Sequence, residues 1–401
     1  MRILLSTIGS RGDVQPLVAL ALQLKSLGQE VHLCVPPDFR EWIEGLGMTV
    51  TPIGPELRST GKSKPMMTPP TPEQIRMMME GTVTAQFESI TAAAQGCDLI
   101  VGATMLQVAA PSIAKHMGIP YIFAAYCPAV IPWPHHAPPV LTALGDRPVA
   151  MNDYSELWEK EAARWNMQWK DILNVHRARL GLDPVSDVQS HVLTDHPWLA
   201  ADPALSPWPD ESIFQPGAWM VEDDRPLAPE LEDFLNAGEA PIYFGFGSIG
   251  APQDLNRVMI ESARGLGRRA ILLKGWADLS LIDNEPDCIA IGEVNQQALF
   301  KRVAATVHHG GAGTTHAAAR AGAPQVLIPQ HYDQFHWAGR VQELGIGVAH
   351  TSSNTPTVES LTDALQQVLQ PEVKVHAESV AARVRLDGAL VAAQRLIQMV
   401  V

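Results

Sequence analysis

The chain has 401 residues, of which 46% are hydrophobic and 18% charged, enough apolar content to bury a sizeable core and to exclude intrinsic disorder as the main state. Lys and Arg number 29 against 43 Asp and Glu, a net charge of −14, which argues against a nucleic-acid partner because such proteins carry a basic footprint. Four scattered cysteines (Cys34, Cys97, Cys127, Cys288) form no CxxC pair, so neither a disulfide framework nor a thiolate metal site is expected, and a cytoplasmic location fits best.

At ~150 residues per domain the length predicts two or three domains. The charge is uneven along it. Residues 1–150 hold 10 basic and 11 acidic residues, and 241–401 hold 13 and 14, whereas 151–240 hold 6 and 18. Two near-neutral blocks flank an acidic middle. The N-terminal apolar run is short and meets Arg11 and Asp13 at once, unlike a signal peptide. No apolar stretch reaches the ~18 residues of a membrane span.

Taken in chain order, Ile3 to Ile8 reads as a strand buried on both faces. Gly9 to Asp13 is a loop, and Leu17, Leu20, Ala21 and Leu24 have helical spacing up to Gly28. Val31 to Val35 is the next strand, which completes a βαβ unit and implies a parallel sheet. Leu99–Gly102 and Tyr121–Ala125 are further strands. Residues 57–72 and 128–148 are loops placed to shape a binding mouth, the second carrying Trp133, His135 and His136. Residues 152–180 read as a helix whose Trp158, Trp165 and Trp169 suit core packing. Six prolines between Pro203 and Pro229 mark an extended linker.

The opening pattern then returns. Ile242–Phe246 is a strand, Gly247–Gly250 a loop, Leu255–Leu266 a helix and Ala270–Lys274 a strand. Ile3 to Val31 and Ile242 to Ala270 are both 28 residues apart. Two such starts indicate two α/β domains.

The segment with the most chemistry is Val307-His308-His309-Gly310-Gly311-Ala312-Gly313-Thr314-Thr315-His316, between the apolar run 303–307 and a small-residue helix from Ala317 to Ala321. Glycines let backbone approach a ligand, and N–H groups at a helix start favour an anion. Thr314 and Thr315 add hydroxyls. This is a phosphate or diphosphate cradle without the P-loop lysine, or else a tight turn that needs glycine. A zinc site from His308, His309 and His316 lacks a completing carboxylate. Ser248 reads as a second phosphate donor or as part of an ordinary small-residue turn. Asp13 reads as a base for an incoming hydroxyl or as a helix cap. As a base it starts from a carboxyl pKa near ~4, which a helix N-terminus would depress further. Asp333 and Gln334, after the strand Val326–Pro329, suit vicinal hydroxyls or a polar loop. Gln296 and Gln297 could face a nucleobase edge.

Together, Leu4–Val14, Gly217-Ala218-Trp219, Gly245–Ser248, Glu293–Phe300, His308–Thr315 and Asp333-Gln334 followed by Ala338–Val341 resemble the two-domain GT-B glycosyltransferases of the UDP-glycosyltransferase family. The likeness is greatest to bacterial enzymes acting on vancomycin-type glycopeptide antibiotics, and it runs in order over nearly the whole chain. It implies an α/β fold of two facing Rossmann-like domains with parallel sheets and an interdomain cleft: residues 1–222 for the acceptor, 223–380 for the nucleotide sugar, and a terminal helix, 381–401, crossing back. It also implies roles. Asp13 is the catalytic base; Ser248, His309, Gly311, Ala312, Gly313 and Thr314 bind the donor diphosphate; Asp333 and Gln334 hold the donor sugar; Gln297 lies on the nucleobase side. Ser10, Trp133, His135 and His136 fall on the acceptor side. The resemblance implies inversion without a bound metal or other cofactor. The expected reaction moves a sugar, first of all glucose from UDP-glucose, to a hydroxyl of a small lipophilic or aromatic acceptor. A dTDP-deoxysugar transferase, a UDP-sugar epimerase and a non-catalytic nucleotide-sugar binder are the alternatives. Phe335-His336-Trp337 departs from the Pro-Tyr type of sequence that follows Asp-Gln in many antibiotic enzymes.

Overall fold

The computed structural model describes residues 1–57, 71–142, 145–247, 254–275, 279–350 and 355–400. The N-terminal half runs β1 (Arg2–Thr7), α1 (Arg11–Ser26), β2 (Glu30–Val35), α2 (Arg40–Gly45), β3 (Thr49–Pro52), α3 (Pro72–Ala93), β4 (Leu99–Ala103), α4 (Ala110–Met117), β5 (Tyr121–Ala125), α5 (Ser155–Arg179), α6 (Val188–Leu193) and β6 (Trp198–Leu199). The C-terminal half runs α7 (Pro229–Asn236), β7 (Ile242–Gly245), α8 (Leu255–Gly265), β8 (Ala270–Leu273), β9 (Cys288–Ile291), α9 (Gln296–Leu299), β10 (Ala305–His308), α10 (Ala312–Arg320), β11 (Gln325–Leu327), α11 (Gln334–Glu343), β12 (Gly347–Ala349), α12 (Val358–Val368), α13 (Pro371–Ala381) and α14 (Gly388–Val400).

Each half builds one six-stranded sheet, ordered β3-β2-β1-β4-β5-β6 and β12-β11-β10-β7-β8-β9. All ladders are parallel. Numbered within its own half, the second order is the same as the first. The expected pair of Rossmann-like sheets is therefore what the chain forms. In such sheets ligands gather beyond the carboxyl ends of the strands where the order reverses. Those points lie between β1 and β4, which lead to Asp13 and Thr104, and between β7 and β10, which lead to Gly247 and His309.

β1 is buried along Ile3–Thr7, as a central parallel strand with helices on both faces requires. On α1, Leu17, Leu20 and Leu24 are buried, and the helix ends where Gly28 takes a φ of 76°, the left-handed stop that glycine favours. An apolar cluster joins the two halves. It runs from Phe123 and Leu199 through the linker residues Leu205 and Trp208 to Trp337 and Val341 of α11.

Two boundaries differ from the sequence reading. The helix after the glycine run starts at Ala312, because Gly311 is its extended N-cap with φ −63° and ψ 143°; the cradle residues therefore form its first turn. The last helix, expected from 381, starts only at Gly388 as α14, after α13 has ended at Ala381. Between them the Arg385 N–H donates to Asp202 Oδ2 at 2.8 Å. α14 then packs on the N-terminal domain through Ala389, Ala392, Ala393 and Leu396. A side chain at Gly388 would lie 2.6 Å from the Ala218 carbonyl oxygen, so the helix can enter there only as glycine.

Candidate active site

Asp13 stands in the first turn of α1, three residues after the N-cap Ser10. Its Oδ2 accepts the Ser10 N–H at 2.6 Å and the Ser10 hydroxyl at 3.2 Å, one half of a capping box. Ser10, expected on the acceptor side, thus holds Asp13 in place. The Tyr126 hydroxyl donates to the Asp13 carbonyl at 3.1 Å, and its ring meets Trp219 edge-on at 6.4 Å. The sequence reading expected a depressed carboxyl pKa. The structure gives the opposite direction: burial outweighs the Ser10 donors and pushes Asp13 up to about 6.

Across the cleft, β10 delivers the cradle. His308 is fully buried. Its Nδ1 accepts the Gly310 N–H at 3.1 Å, and its Nε2 lies 3.0 Å from Gln325 Oε1. It shapes the turn and is not free for a ligand. His309 differs: its Nδ1 is buried with no hydrogen-bond partner among the described residues. Burial, with His308 and His331 adding to it, pushes its pKa down to about 3, so its ring is neutral. A Cβ at Gly311 would lie 2.5 Å from His309 Nε2. Glycine there lets the ring lie against the start of α10. Ala312, Gly313 and Thr314 follow as the first turn, where backbone N–H groups have no partner within the helix. Thr315 offers no hydroxyl, since its Oγ1 donates to the Gly311 carbonyl at 3.0 Å. His316 Nδ1 lies 2.7 Å from the Ala312 carbonyl, and its Nε2 accepts the Asp202 N–H at 3.0 Å. Among the described residues no group of three His, Cys, Asp or Glu could hold a metal ion. Ser248 lies outside the described residues.

The segment before α11 is tied to the other domain. Tyr332 and Val140 exchange backbone hydrogen bonds, 2.7 Å from the Tyr332 N–H and 3.4 Å from the Val140 N–H. The Thr142 hydroxyl donates to the Gln330 carbonyl at 3.0 Å. Tyr332 has a φ of 60°, uncommon for a residue with a side chain and typical of functional loops. Asp333 is next. Its Oδ2 accepts the Trp337 indole N–H at 3.1 Å. Burial, and then the charge of Asp13, push its carboxyl up to about 7. Gln334 is buried, and its Oε1 accepts the N–H groups of Gln330 at 2.8 Å and His331 at 3.3 Å, which closes the loop around Asp333.

In the loop expected on the acceptor side, Trp133 meets Trp208 edge-on at 5.4 Å and His135 at 5.7 Å. His136 packs beside Trp158, Trp208 and His336. The Trp158 indole N–H is shared by the Trp133 and His136 carbonyls, both at 2.9 Å. Trp158 of α5 thus holds the loop in place. Gln297 donates to the Val221 carbonyl at 2.7 Å, and Gln296 to the Tyr243 hydroxyl at 3.3 Å. Both amides hold α9 against neighbouring chain. Beside them Glu293 pairs with Arg11 of the other domain at 2.8 Å.

Two family models match the chain: the glycosyltransferase family 28 N-terminal domain over residues 3–129, and the erythromycin biosynthesis protein CIII-like C-terminal domain over residues 269–391. Glycosyltransferase GtfE of Amycolatopsis orientalis is 50% identical, covering 99% of this chain and 97% of its own. Vancomycin aglycone glucosyltransferase of the same organism is 48% identical, covering 100% and 98%. The chain belongs to the glycosyltransferase family of these enzymes. A third relative from that organism, dTDP-epi-vancosaminyltransferase, is 41% identical, covering 95% of this chain and 93% of its own. Among solved structures, the glycosyltransferase of kitacinnamycin superposes with a TM-score of 0.73 at 19% identity, covering 100% and 99%, which supports the GT-B fold. No helix among the described residues is long and apolar enough to cross a membrane.

For a glycosyltransferase, the residues missing from the sequence reading are those that position its carboxylates: Tyr126 behind Asp13, Tyr332 and Val140 beside Asp333, and Trp337 on Asp333 itself. The last had a sequence signal. Asp333 and Trp337 stand four apart at a helix start, a spacing that brings side chains together.

Proposed function

We propose that this glycosyltransferase moves glucose from UDP-glucose to a hydroxyl of a glycopeptide-type antibiotic aglycone, inverting the anomeric centre. The observation that carries the reading is that Asp13 of one domain lies close enough to Asp333 of the other for its charge to raise that carboxyl, while Gln334 beside it borders Gly310 of the histidine–glycine turn. Asp13 Oδ1 takes the acceptor proton while Oδ2 stays on Ser10. The acceptor oxygen bonds to the anomeric carbon as the bond from that carbon to the diphosphate oxygen breaks. The leaving diphosphate remains in the cradle as UDP. A base of pKa about 6 is closer to a phenolic acceptor, near ~10, than an ordinary carboxylate is. The α10 N-terminus and neutral His309 stabilise the departing anion, a role of fixed donors in a water-poor site. No metal or other cofactor is assigned a part. Support for glucose and an antibiotic aglycone comes from the 48% identity to vancomycin aglycone glucosyltransferase.

The second reading keeps the chemistry but takes a dTDP-linked deoxysugar, as the name of the 41% identical relative suggests. Mass spectrometry of aglycone incubated with UDP-glucose or with dTDP-sugars separates the two. The Asp13→Ala protein should lose transfer with either donor and retain donor binding. Transfer at the wild-type rate by that variant removes Asp13 from the mechanism, and turnover abolished by EDTA removes the metal-free assignment.

A further inference from the structure

We propose that Trp337 is a positioning residue for the donor sugar: its indole N–H occupies one oxygen of Asp333 and leaves the other for a sugar hydroxyl. The proposal rests on the reading of Asp333 as a sugar contact. Trp337 is fully buried. Its ring is fixed edge-on by His316 at 4.8 Å and by His336 at 5.2 Å. His316 is itself anchored between the Ala312 carbonyl and the Asp202 N–H, so the indole is referenced to the cradle helix and to the interdomain linker. Asp333 stands at the N-cap of α11 yet makes no side-chain cap bond. An aspartate there ordinarily accepts from the next backbone N–H groups. This one is turned instead to the indole one helical turn on, at 3.1 Å from Nε1 to Oδ2.

The chemistry of the donor gives the arrangement its direction. An indole N–H donates and cannot accept, so Oδ2 is an acceptor in every protonation state of Asp333. Any proton on this carboxyl is therefore carried by Oδ1. That oxygen accepts from a sugar hydroxyl when Asp333 is ionised and donates to one when it is neutral. A carboxylate free to rotate would present either oxygen. Neither Phe335 nor His336 is placed by these contacts to do the same. The aromatic step after Asp333-Gln334 thus has a use in its third residue.

The test compares Trp337→Phe, which keeps a ring and loses the N–H, with Asp333→Asn. Losing a hydrogen bond to a charged group should raise the donor KM about tenfold, with kcat at saturating donor changed about threefold or less. The acid limb of kcat/KM should also move to higher pH, because the ionised form of Asp333 loses its indole donor. A purely structural role predicts lower stability with the same pH limb. If Trp337→Phe does not fold, a benzothiophene amino acid placed at 337 by suppression replaces N–H with sulfur in nearly the same volume. A KM and pH limb equal to wild type in the folded variant overturn the proposal, provided Asp333→Asn weakens donor binding. Asp333→Asn with undiminished donor binding overturns the sugar-contact reading instead.

Discussion

Replacing Asp333 by asparagine should make the free protein more stable at alkaline pH and no more stable at acid pH. The carboxyl of Asp333 is pushed from 3.8 up to about 7 by burial and by Asp13. An acid whose pKa is raised on folding binds its proton more tightly in the native state. Stability is therefore greatest below the unfolded value, falls as pH rises from about 4 to about 7 and is flat beyond. The upward shift corresponds to at most ~4 kcal/mol at ~1.36 kcal/mol per unit. Asp333 keeps partial access to the cleft, and solvent screening reduces the figure to ~2 kcal/mol. Asparagine keeps an oxygen for the Trp337 indole and carries no charge. At ~2–4 °C per kcal/mol for a domain of this size, the gain in Tm is ~4–8 °C at pH 8. Calorimetric melts of both proteins at pH 4, 6 and 8, without nucleotide, measure it. Equal Tm values at pH 8, or a gain at pH 4 as large as at pH 8, would refute the claim that the cleft penalises this charge.

Other outcomes follow from the same geometry. The kcat/KM of the wild-type enzyme should rise with pH through about 6, where Asp13 loses its proton; since Asp13 and Asp333 interact, the limb belongs to the pair. A flat profile between pH 5 and 8 contradicts the base assignment. Gly311→Ala puts a methyl group 2.5 Å from His309 Nε2, and UDP affinity by calorimetry should fall ~10-fold or more, as for a displaced charge-binding donor. Gly388→Ala drives a methyl into the Ala218 carbonyl at 2.6 Å; chemical denaturation should show a loss of ~1–3 kcal/mol, the usual cost of overpacking.

Much of the fold was legible because its signals are local. The 28-residue repeat of strand, glycine loop, helix and strand is a property of contiguous residues, and both repeats became central βαβ units. The cradle was visible because two histidines, four glycine or alanine residues and two threonines crowd one turn. Its helix start was misplaced by five residues because Ala, Gly and Thr carry little apolar periodicity. The direction of the Asp13 pKa was not legible at all. Capping depends on residues three apart, whereas desolvation depends on what the fold packs around the carboxyl. The Val140–Tyr332 bridge joins residues 192 apart by backbone groups alone, so no side-chain pattern announces it. Gln297 adds a contact of the same kind: its amide donates to the Val221 carbonyl, 76 residues away in sequence.

A diphosphate seated at the start of α10 would be held there without a cation from the glycine turn. Residues 309–314 contain no Lys or Arg, and His309, at about 3, is neutral across the working pH range. A protonated histidine would make donor binding tighten below its ordinary pKa of ~6.5. A neutral one contributes a hydrogen bond whose strength does not change there. The two cases differ most clearly with UDP-glucose, whose diphosphate is esterified at both ends and lacks the terminal phosphate ionisation near pH ~6. The Asp13→Asn, Asp333→Asn double variant removes the two cleft carboxylates that titrate in the same range. In that background, the Kd for UDP-glucose should vary less than about twofold between pH 5 and 8, while adding His309→Ala should raise it ~5–10-fold. Tenfold tighter binding at pH 5 than at pH 8 would mean that the ring is charged when the diphosphate is bound. In that case the ligand, by supplying the missing counter-charge, overcomes the burial that keeps the empty site neutral.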